Sequence, residues 1–382
     1  MTSEPSHRML FLGAGSQMRC GVGHFTHLLR ETIERSDSNS SFTLTLTRSD
    51  GSLADIWRAV GSAHSVICNF PIVAWKRVML RPLLALALAK LRQRRIVLVQ
   101  HEWAGLNWMR RVTYMPALAL ADTILMFSPL VKQELTNDRW VAWTARKCVL
   151  APLPPNIAAP AGITDSKLRQ RLAAARQDGR LVIGHFGSIY PGKQPNVLLD
   201  IGASLRAKGH HPLIVYIGSF IRGTDTVEQD FHTHATALDL ADDVIVSGYI
   251  ASDHEVFGLF SEIDAFCYAF DEGVSARRAS ILTAVQSDRP VIVTGPALPD
   301  EFEHHPRFKD LIVNGAVVLV PRGSTPDDYA DRILAAIKRP VIQTAFDVEG
   351  WWDDVAKVVM AQINPANEIE PYSASRRPRP EM

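Results

Sequence analysis

Short apolar segments alternate with helical segments along almost the whole chain, and this alternation constrains the fold more than any other feature. Strands that alternate with helices favour parallel sheets whose two faces are covered by those helices. The predicted strands are, in chain order, Met9–Leu12, Phe42–Leu46, Ser65–Asn69, Ile96–Gln100, Thr123–Phe127, Leu181–Phe186, Leu213–Ile217, Val244–Ser247, Ala265–Tyr268, Val291–Thr294 and Val317–Val320. The sequence therefore predicts an α/β protein with doubly wound parallel sheets.

The alternation stops once, at Val149–Asn156, where three prolines predict a stiff, extended connection. A chain of 382 residues is long enough for two domains that each bury a core. We therefore predict two similar Rossmann-like domains, over residues 1–155 and 156–350, with ligands at the carboxyl ends of the strands. A further helix is predicted over residues 351–366, and the polar, proline-rich residues 367–382 are expected to be a disordered tail.

Composition argues against several classes of protein. A net charge of +1 and a pI of about 7.8 give no reason to expect a nucleic-acid partner. The four cysteines are far apart and match neither a zinc site nor a disulfide framework, so we expect no metal and a cytoplasmic location. We expect neither a signal peptide nor a spanning helix, because no uncharged apolar run reaches about 18 residues.

The apolar segment Val78–Leu91 allows two interpretations. It contains Arg81 and Lys90, and a basic segment, Arg92–Arg95, follows it. An ordinary helix packed on a sheet is one interpretation. The other is a basic, apolar face that rests on an anionic bilayer.

A glycine-containing turn follows the first predicted strand and precedes a predicted helix near Val22–Arg35. Its glycines, including Gly21 and Gly23, would let the backbone approach a phosphate closely. Met18 stands where a dinucleotide fingerprint has its third glycine, so a nicotinamide or flavin cofactor is only weakly supported. A plain strand-to-helix turn is the alternative.

The first strand of the second domain leads into a similar loop. There the N–H groups of Gly187 and Ser188 and the ammonium of Lys193 would face a diphosphate. The alternative is a solvated lysine in a turn.

Polar residues follow two other predicted strands. His101 comes directly after Ile96–Gln100, where it would hydrogen-bond a sugar hydroxyl or a phosphate; a structural histidine is the alternative. The strand Val244–Ser247 ends in Gly248, Tyr249 and Ile250. Backbone groups here would read a nucleobase edge while Tyr249 or Ile250 packs on the face of the base; simple packing is the alternative.

The segment from Asp271 to Gly295 combines an acidic pair, a turn, a helix and a strand. The Glu272 carboxylate would accept hydrogen bonds from sugar hydroxyls, and a helix N-terminus would favour a phosphate. Arg277 and Arg278 are interpreted as surface residues, with pairing to a diphosphate or an acceptor anion as the alternative.

In this order, the segments resemble the family 4 glycosyltransferases of the GT-B fold. The stretch CGVGHFTHLL resembles the N-terminal glycine loop of that family, and GSIYPGKQPNVLLDI resembles its donor loop. VSGYI is similar to the nucleobase-binding strand end, and DEGVSARRASILTAV to the E-x7-E region. WWDDVAK resembles the C-terminal helix that crosses back to the first domain.

The resemblance implies two domains facing across a cleft and a metal-independent, hexosyltransferase-type reaction. A sugar would pass with retention from a nucleoside-diphosphate sugar to an acceptor hydroxyl, without any other cofactor. Lys193 would contact the diphosphate, Glu272 the sugar hydroxyls, and His101 the region of the reacting centre. The implied donor-binding residues are Gly21, Gly23, Gly187, Ser188, Lys193, Tyr249, Ile250, Gly273, Val274, Ser275 and Ser280.

Two positions depart from the family pattern. The arginine of the donor loop falls on Ser188, and the second glutamate of E-x7-E falls on Ser280. A non-catalytic nucleotide-sugar-binding partner subunit therefore stays open as an alternative, and so does a GT-B-type epimerase. The expected acceptor is a saccharide or a lipid-linked molecule in polysaccharide or glycolipid assembly, with peripheral contact at the inner face of the membrane.

Overall fold

The structure, a computed structural model, describes residues 7–14, 21–36, 41–47, 50–72, 75, 78–221, 226–340, 342 and 346–363 of the chain. Gly15 and Met18 of the first glycine turn, residues 364–366 of the last predicted helix and the predicted tail over residues 367–382 lie outside these residues. In the described part, no helix combines the length and the apolar character that crossing a bilayer requires.

The described residues fall into two compact units. The first comprises residues 1–126, 134–151 and 352–382, and the second comprises residues 127–133 and 152–351, each range counted over its described residues. The predicted domain boundaries lie near these divisions and stay predictions. Each unit is built around one six-stranded sheet.

The sheet of the first unit is wholly parallel, with the strand order β2-β1-β3-β4-β5-β6. Its strands are β1 Met9–Gly13, β2 Ser41–Thr45, β3 Ser65–Phe70, β4 Arg95–Gln100, β5 Thr123–Met126 and β6 Cys148–Leu150. The helices of this part of the chain are α1 Gly21–Ser36, α2 Leu53–Ser62, α3 Leu80–Leu91, α4 Trp108–Leu120 and α5 Pro129–Asn137.

The sheet of the second unit is also parallel, with the order β12-β11-β10-β7-β8-β9. Its strands are β7 Leu181–Phe186, β8 Pro212–Ile217, β9 Val244–Val246, β10 Ala265–Tyr268, β11 Val291–Thr294 and β12 Val317–Val320. The remaining helices are α6 Lys167–Gln177, α7 Pro195–Ala207, α8 Val227–Ala237, α9 Asp253–Phe260, α10 Ala279–Val285, α11 Pro306–Val313, α12 Pro326–Ile337 and α13 Val348–Ile363.

The sequence explains why these elements form. Successive strand residues enter opposite cores: Leu213, Val215 and Ile217 pack on one face of the second sheet, while Ile214 and Tyr216 pack on the other. Helices α2 and α12 begin at capping boxes, in which Ser52 and Thr325 each satisfy N–H groups of the first turn. Burial on both faces is why the strands read as continuous apolar runs.

Helix α13 groups with the first unit from Trp352 onward. The Trp352 ring lies 5.2 Å from the ring of Phe25 on α1, and Arg95 Nε donates to the Gln362 carbonyl at 3.0 Å. Thr123 Oγ1 also donates to Gln362 Oε1 at 3.3 Å. These contacts attach the C-terminal helix to strands and a helix of that unit.

The predicted α/β class with two doubly wound sheets is confirmed, and every predicted strand is present within one residue at each end. The sequence analysis was wrong at residues 148–150, where it placed only the proline-rich connection. These residues form β6, which pairs with β5 at the edge of the first sheet. Three residues are too few to show a periodic pattern, so only the neighbouring strand reveals this one.

Candidate functional site

The candidate site lies at the carboxyl edge of the second sheet, between β7 and β10. These two strands are neighbours at the point where the strand order reverses. Open α/β sheets bind their ligands at such a switch point because the loops leaving the two strands diverge and leave a crevice. The loops here are residues 187–194 after β7 and residues 269–278 after β10.

The loop after β7 turns at Gly187, whose φ of +113° favours glycine. A Cβ atom at this position would lie 2.8 Å from Lys193 Nζ and 3.6 Å from Ser280 Cβ. Ser188 follows and is exposed to solvent. The loop therefore brings the Lys193 ammonium against the backbone of Gly187 and beside the start of α10.

Lys193 is buried, with 7% of its surface exposed, at the end of a short 3-10 turn, Pro191–Lys193. The interpretation as a solvated lysine is therefore wrong. Burial, and next the Arg278 guanidinium, lower the pKa of Lys193 to about 7. Within the described residues, no carboxylate forms an ion pair with this ammonium. Lys193 is thus a desolvated ammonium that loses its proton near pH 7 and that no described carboxylate pairs with.

His185 lies near the end of β7, directly before this loop. It is buried between Tyr216 and Tyr268, with ring centroids 5.2 and 4.6 Å away, and its Nδ1 lies 3.2 Å from the Cys267 carbonyl. Burial, and next the charge of Lys193, hold the pKa of His185 well below its usual range. The imidazole is therefore neutral and adds no positive charge to the site.

Arg278 lies near Lys193, whose pKa its charge lowers, and it is not the surface residue that the sequence suggested. Its guanidinium donates to the Tyr190 hydroxyl at 2.8 Å and lies 4.5 Å above the centre of the Phe270 ring. Only 12% of its side chain is exposed, and its Nε has no hydrogen-bond partner among the described residues. Tyr190 and Phe270, from two separate loops, cover this arginine, which is why its local sequence did not reveal it.

Arg277 has different surroundings. Its guanidinium donates to Glu272 Oε2 at 3.1 Å, and its charge also acts on the buried carboxyl of Glu301. The side chain is 17% exposed, so the prediction of a surface residue is wrong here too. Two carboxylates of the protein, those of Glu272 and Glu301, therefore balance the charge of Arg277.

Glu272, the predicted sugar-binding carboxylate, is half-exposed at the mouth of the site. In addition to Arg277, it lies 3.6 Å from the Arg278 guanidinium. The neighbouring Asp271 accepts a hydrogen bond from Gln194 Nε2 at 2.9 Å, which ties the loop after β10 to the loop after β7. The structure thus brings Glu272, Arg278 and Lys193 together at one edge of the sheet.

The turn after Glu272 is buried. Gly273 has φ +79°, and a Cβ there would lie 2.1 Å from the Gly295 carbonyl oxygen, so only glycine fits. Val274 packs in the hydrophobic core, and its N–H donates to the Thr294 carbonyl. That N–H is therefore committed to the sheet, which argues against the predicted direct role of Val274 in binding. Ser275 is fully buried, and its Oγ has no partner among the described residues.

Ser280 lies in the first turn of α10, and its carbonyl accepts a hydrogen bond from the Tyr268 hydroxyl at 3.4 Å. The predicted helix is present but has only seven residues. We therefore attribute the positive character of this edge to the side chains of Lys193 and Arg278 rather than to the dipole of α10.

Glu301 is a buried residue that the sequence analysis missed. Its carboxylate accepts hydrogen bonds from Ser128 Oγ at 2.6 Å, the Ala276 N–H at 2.8 Å and the Leu130 N–H at 3.1 Å. Burial raises the pKa of Glu301, while these three donors act in the opposite direction. The contact with Ala276 anchors the segment that carries both arginines.

The carboxyl ends of β8 and β9 extend this edge of the second sheet away from Lys193 and Arg278. The Gly218 N–H donates to Ser247 Oγ at 3.1 Å, and a Cβ at Gly218 would lie 2.2 Å from the Gly187 carbonyl oxygen. Tyr249 is 63% exposed, whereas Ile250 is partly buried against the core. A cavity of about 640 Å³ opens beside β9, and its lining includes Ser219, Phe220, Glu228, His232, Thr236 and Gly248.

The other predicted site residues lie in the first unit. His101 Nε2 lies 3.2 Å from Asn69 Oδ1, within hydrogen-bonding distance. Its ring meets the Phe25 ring edge-on at 5.1 Å. Gly21 and Gly23 lie in the first turn of α1, the same helix that carries Phe25. The structure thus groups these predicted residues at the carboxyl edge of the first sheet.

Within the described residues, no group of three or more His, Cys, Asp or Glu side chains is placed to hold a metal ion. Metal independence stays a prediction.

No protein-family model matches the chain, and no curated protein matches its sequence. Solved structures do match over nearly the full length. The glycosyltransferase from Rickettsia africae ESF-5 is 11% identical, covering 95% of this chain and 94% of its own, with a TM-score of 0.54. Anabaena Alr3699/HepE, solved in complex with UDP and glucose, is 16% identical, with coverages of 93% and 95% and a TM-score of 0.57.

The apo form of the lipopolysaccharide outer core galactosyltransferase WaaB is 14% identical, with coverages of 94% and 99% and a TM-score of 0.58. At such low identity the similarity concerns the fold, and it extends over both units of this chain. The predicted GT-B fold class is therefore confirmed, and the chain has the fold of these glycosyltransferases.

Proposed function

We propose that this protein is a glycosyltransferase that binds a nucleoside-diphosphate sugar at the carboxyl edge of the second sheet and transfers the sugar to an acceptor hydroxyl. One observation carries the proposal: Lys193 is buried beside the mostly covered Arg278 guanidinium at the switch point, and among the described residues Glu272, 3.6 Å from Arg278, is the one carboxylate that pairs with either of them. Buried like charges repel each other and lose hydration, so this arrangement is costly without an anion. A diphosphate supplies at least two negative charges.

The fold agrees with this assignment. The similar protein Anabaena Alr3699/HepE has been solved in complex with UDP and with UDP-glucose. A nucleoside diphosphate in this chain would place its phosphates between Gly187, Lys193 and Arg278. The exposed Ser188 lies beside them and would add a hydroxyl or N–H contact.

The sheet geometry then sets the direction of the nucleoside. Neighbouring strands are about 4.8 Å apart, so the end of β9 lies roughly 10 Å from the end of β7, about the span from a diphosphate to its base. We place the base at Gly248, Tyr249 and Ile250, beside the cavity near Phe220. The exposed Tyr249 ring is available to pack on the base.

The sugar would lie near Glu272. Once the phosphate contacts Arg278, that arginine releases its outer contact with Glu272, and the carboxylate can accept hydrogen bonds from sugar hydroxyls. Arg277 keeps Glu272 oriented. The turn at Gly273 and Ser275 shapes this end of the pocket, and Ser280 lies on its phosphate side.

In the proposed reaction, the bond between the anomeric carbon and the phosphate oxygen breaks, and a bond to the acceptor oxygen forms. The acceptor oxygen would attack from the face that the diphosphate leaves, which gives retention of configuration. The leaving diphosphate takes the proton of the acceptor hydroxyl, so no separate base is needed. Lys193 and Arg278 stabilise the charge that develops on the leaving oxygen, so no metal is needed. His101, with Gly21 and Gly23 nearby, would line the acceptor side.

We infer a hexosyl donor and a saccharide or lipid-linked acceptor in polysaccharide or glycolipid assembly, at the inner face of a membrane. A non-catalytic nucleotide-sugar-binding subunit is the second candidate. Ser188 and Ser280 favour it, because each replaces a charged residue in the family that the sequence resembles.

The test incubates the full chain with UDP-, GDP-, ADP- and TDP-sugars, with and without saccharide and glycolipid acceptors. We expect release of one nucleoside diphosphate and a glycosylated product of unchanged anomeric configuration, both insensitive to chelator. Binding without product or hydrolysis would support the non-catalytic subunit. A sugar converted without an acceptor would indicate an epimerase, and loss of turnover in chelator would contradict the metal-free scheme.

A further inference from the structure

The loop after β7 contains an aromatic residue, Tyr190, that contacts both basic side chains of the candidate site. Its hydroxyl oxygen accepts a hydrogen bond from Arg278 Nη1 at 2.8 Å. Lys193 Nζ lies 5.7 Å from the centre of the Tyr190 ring, within the range of a cation–π contact. One side chain therefore connects the lysine and the arginine between which the proposed diphosphate would bind.

The local sequence explains the position of this ring. Tyr190 precedes a proline, which restricts it to extended backbone, and its φ is −157° and its ψ 166°. Pro191 begins the 3-10 turn, and the Lys193 N–H donates to the Tyr190 carbonyl at 3.0 Å. A Cβ atom at Gly192 would lie 3.3 Å from Cε2 of the ring, so the glycine leaves room for it. The turn thus brings the Lys193 side chain back to the tyrosine.

The backbone that leads into Tyr190 is also held by hydrogen bonds. Ile189 is buried, and its N–H donates to the Ser219 carbonyl at 2.9 Å. Its carbonyl accepts a hydrogen bond from the Ile221 N–H at 3.0 Å. Ser219 and Ile221 follow β8, so the residue before the tyrosine is paired with the neighbouring loop. Tyr190 therefore extends from backbone that is fixed on both sides, as a ligand-binding side chain requires.

The Tyr190 hydroxyl keeps its own proton for a further partner. A phenolic hydroxyl can accept and donate at the same time, whereas a guanidinium can only donate. The contact with Arg278 therefore uses a lone pair of the hydroxyl oxygen and leaves the O–H group. Among the described residues, no protein acceptor takes this proton. The side chain is half-buried, so a ligand can approach the hydroxyl.

The surroundings of Arg278 indicate what kind of acceptor fits. Its Nη1 faces the Tyr190 hydroxyl, its Nη2 lies 3.6 Å from Glu272 Oε2, and the Phe270 ring lies 4.5 Å from its central carbon. An anion that contacts this guanidinium at Nη1 would also lie close to the hydroxyl. A phosphate group has several oxygens and can contact both. Hydrogen bonds to such ionised oxygens are roughly twice as strong as those between neutral groups.

We propose that Tyr190 is a further diphosphate-binding residue, whose hydroxyl holds the Arg278 guanidinium and donates its own proton to a phosphate oxygen. The inference rests on the proposed function and adds a neutral donor to Gly187, Lys193 and Arg278. Ser188 stands where the family that the sequence resembles has an arginine. The tyrosine supplies a donor near this position without a third charge, whose burial beside two basic groups would be costly.

The test is calorimetry of the full chain with inorganic pyrophosphate and with UDP, GDP, ADP and TDP. Tyr190→Phe keeps the ring and removes only the hydroxyl. We expect the affinity for the diphosphate to fall roughly 10- to 100-fold, because a hydrogen bond to a charged group is lost, and the affinity for the matching nucleoside to stay unchanged. Tyr329→Phe is the matched control, since the Tyr329 hydroxyl lies 2.6 Å from Thr294 Oγ1 and only 3% of that residue is exposed.

A double-mutant cycle separates direct donation from an effect through the arginine. In the Arg278→Ala background, Tyr190→Phe should lower the diphosphate affinity again, by roughly fivefold or more, because the donated hydrogen bond does not need the guanidinium. Low ionic strength keeps the binding of the weakened variants measurable. Equal affinities of Arg278→Ala and the double variant would overturn the proposal, because Tyr190 would then act only by positioning Arg278.

The outcomes distinguish this inference from the proposed function. Thermal melting checks that each variant is folded. Unchanged diphosphate affinity in Tyr190→Phe overturns the role of the hydroxyl and leaves the proposed function standing. If the wild type binds neither pyrophosphate nor any of the four nucleoside diphosphates, both are contradicted.

Discussion

The two sheets have the same size and almost the same winding, yet their carboxyl edges differ in chemistry. At the edge of the first sheet, the described residues include the polar Asn69, Gln100 and His101, with exposed apolar residues where the neighbouring helices begin. At the edge of the second sheet stand the buried Lys193 and the mostly covered Arg278. We therefore propose the second edge for a charged ligand, because residues of its two loops give its described part this cationic character.

Removing the Lys193 charge should have the largest effect. We expect Lys193→Ala to lower kcat/KM for the nucleotide sugar roughly 30- to 1,000-fold, because a desolvated cation at the leaving oxygen is lost. This corresponds to a loss of about 2–4 kcal/mol of transition-state stabilisation. The measurement is steady-state release of the nucleoside diphosphate. Lys208→Ala is the control, since Lys208 is exposed and pairs with Asp331 in the same unit. Equal kinetics for the two variants would contradict the role that we propose for Lys193 at the edge of the second sheet.

The two adjacent arginines sharpen the comparison within the second unit. Arg278→Ala should weaken binding of both the nucleoside diphosphate and the nucleotide sugar, by about 1.5–3 kcal/mol, the usual range for a hydrogen bond to a charged group. Arg277→Ala should leave the nucleoside diphosphate nearly unaffected and weaken only the nucleotide sugar, because it releases Glu272. Calorimetry with both ligands tests this. Identical profiles for the two variants would contradict the separate roles.

The pH dependence should be smaller, and the stability of the ligand-free protein and its affinity for a diphosphate should change in opposite directions as the pH rises. The pKa of Lys193 is about 7 when folded and 10.5 in the ordinary state, so the unfolded chain holds more protons between these values. The stability of the ligand-free protein should therefore rise with pH from about 7 to 10.

Binding of a diphosphate needs the protonated ammonium, so affinity should fall by roughly fivefold between pH 7 and 8. Lys193→Met should flatten both profiles, which denaturant melts and titrations can follow. An affinity that rises over this interval would show that Lys193 does not face the anion.

The strands could be predicted because a strand of a covered parallel sheet is apolar on both faces and therefore reads as an unbroken run, as in Leu181–Phe186. Gly187 and Lys193 could be placed together because a short loop after a strand keeps them close in sequence. The short β6 was missed since three residues beside a proline-rich segment carry no periodicity.

The surroundings of the charged residues could not be predicted in the same way. Arg278 is buried by Tyr190 and Phe270, and Glu301 by Ser128 and Ala276, which come from distant parts of the chain. In sequence, each looks like a charged residue in a polar loop. Burial of a charge depends on tertiary partners, so the local pattern contains no signal for it.

The central claim is that the edge between β7 and β10 binds a diphosphate, and one titration tests it most directly. Calorimetry compares uridine with UDP, and each other nucleoside with its diphosphate, on the wild type and on the Lys193→Ala/Arg278→Ala variant. We predict that one diphosphate binds the wild type far more tightly than its nucleoside, and that the variant loses this difference while keeping its fold. Equal affinities for nucleoside and diphosphate in the wild type, or an unchanged difference in the variant, would contradict the account.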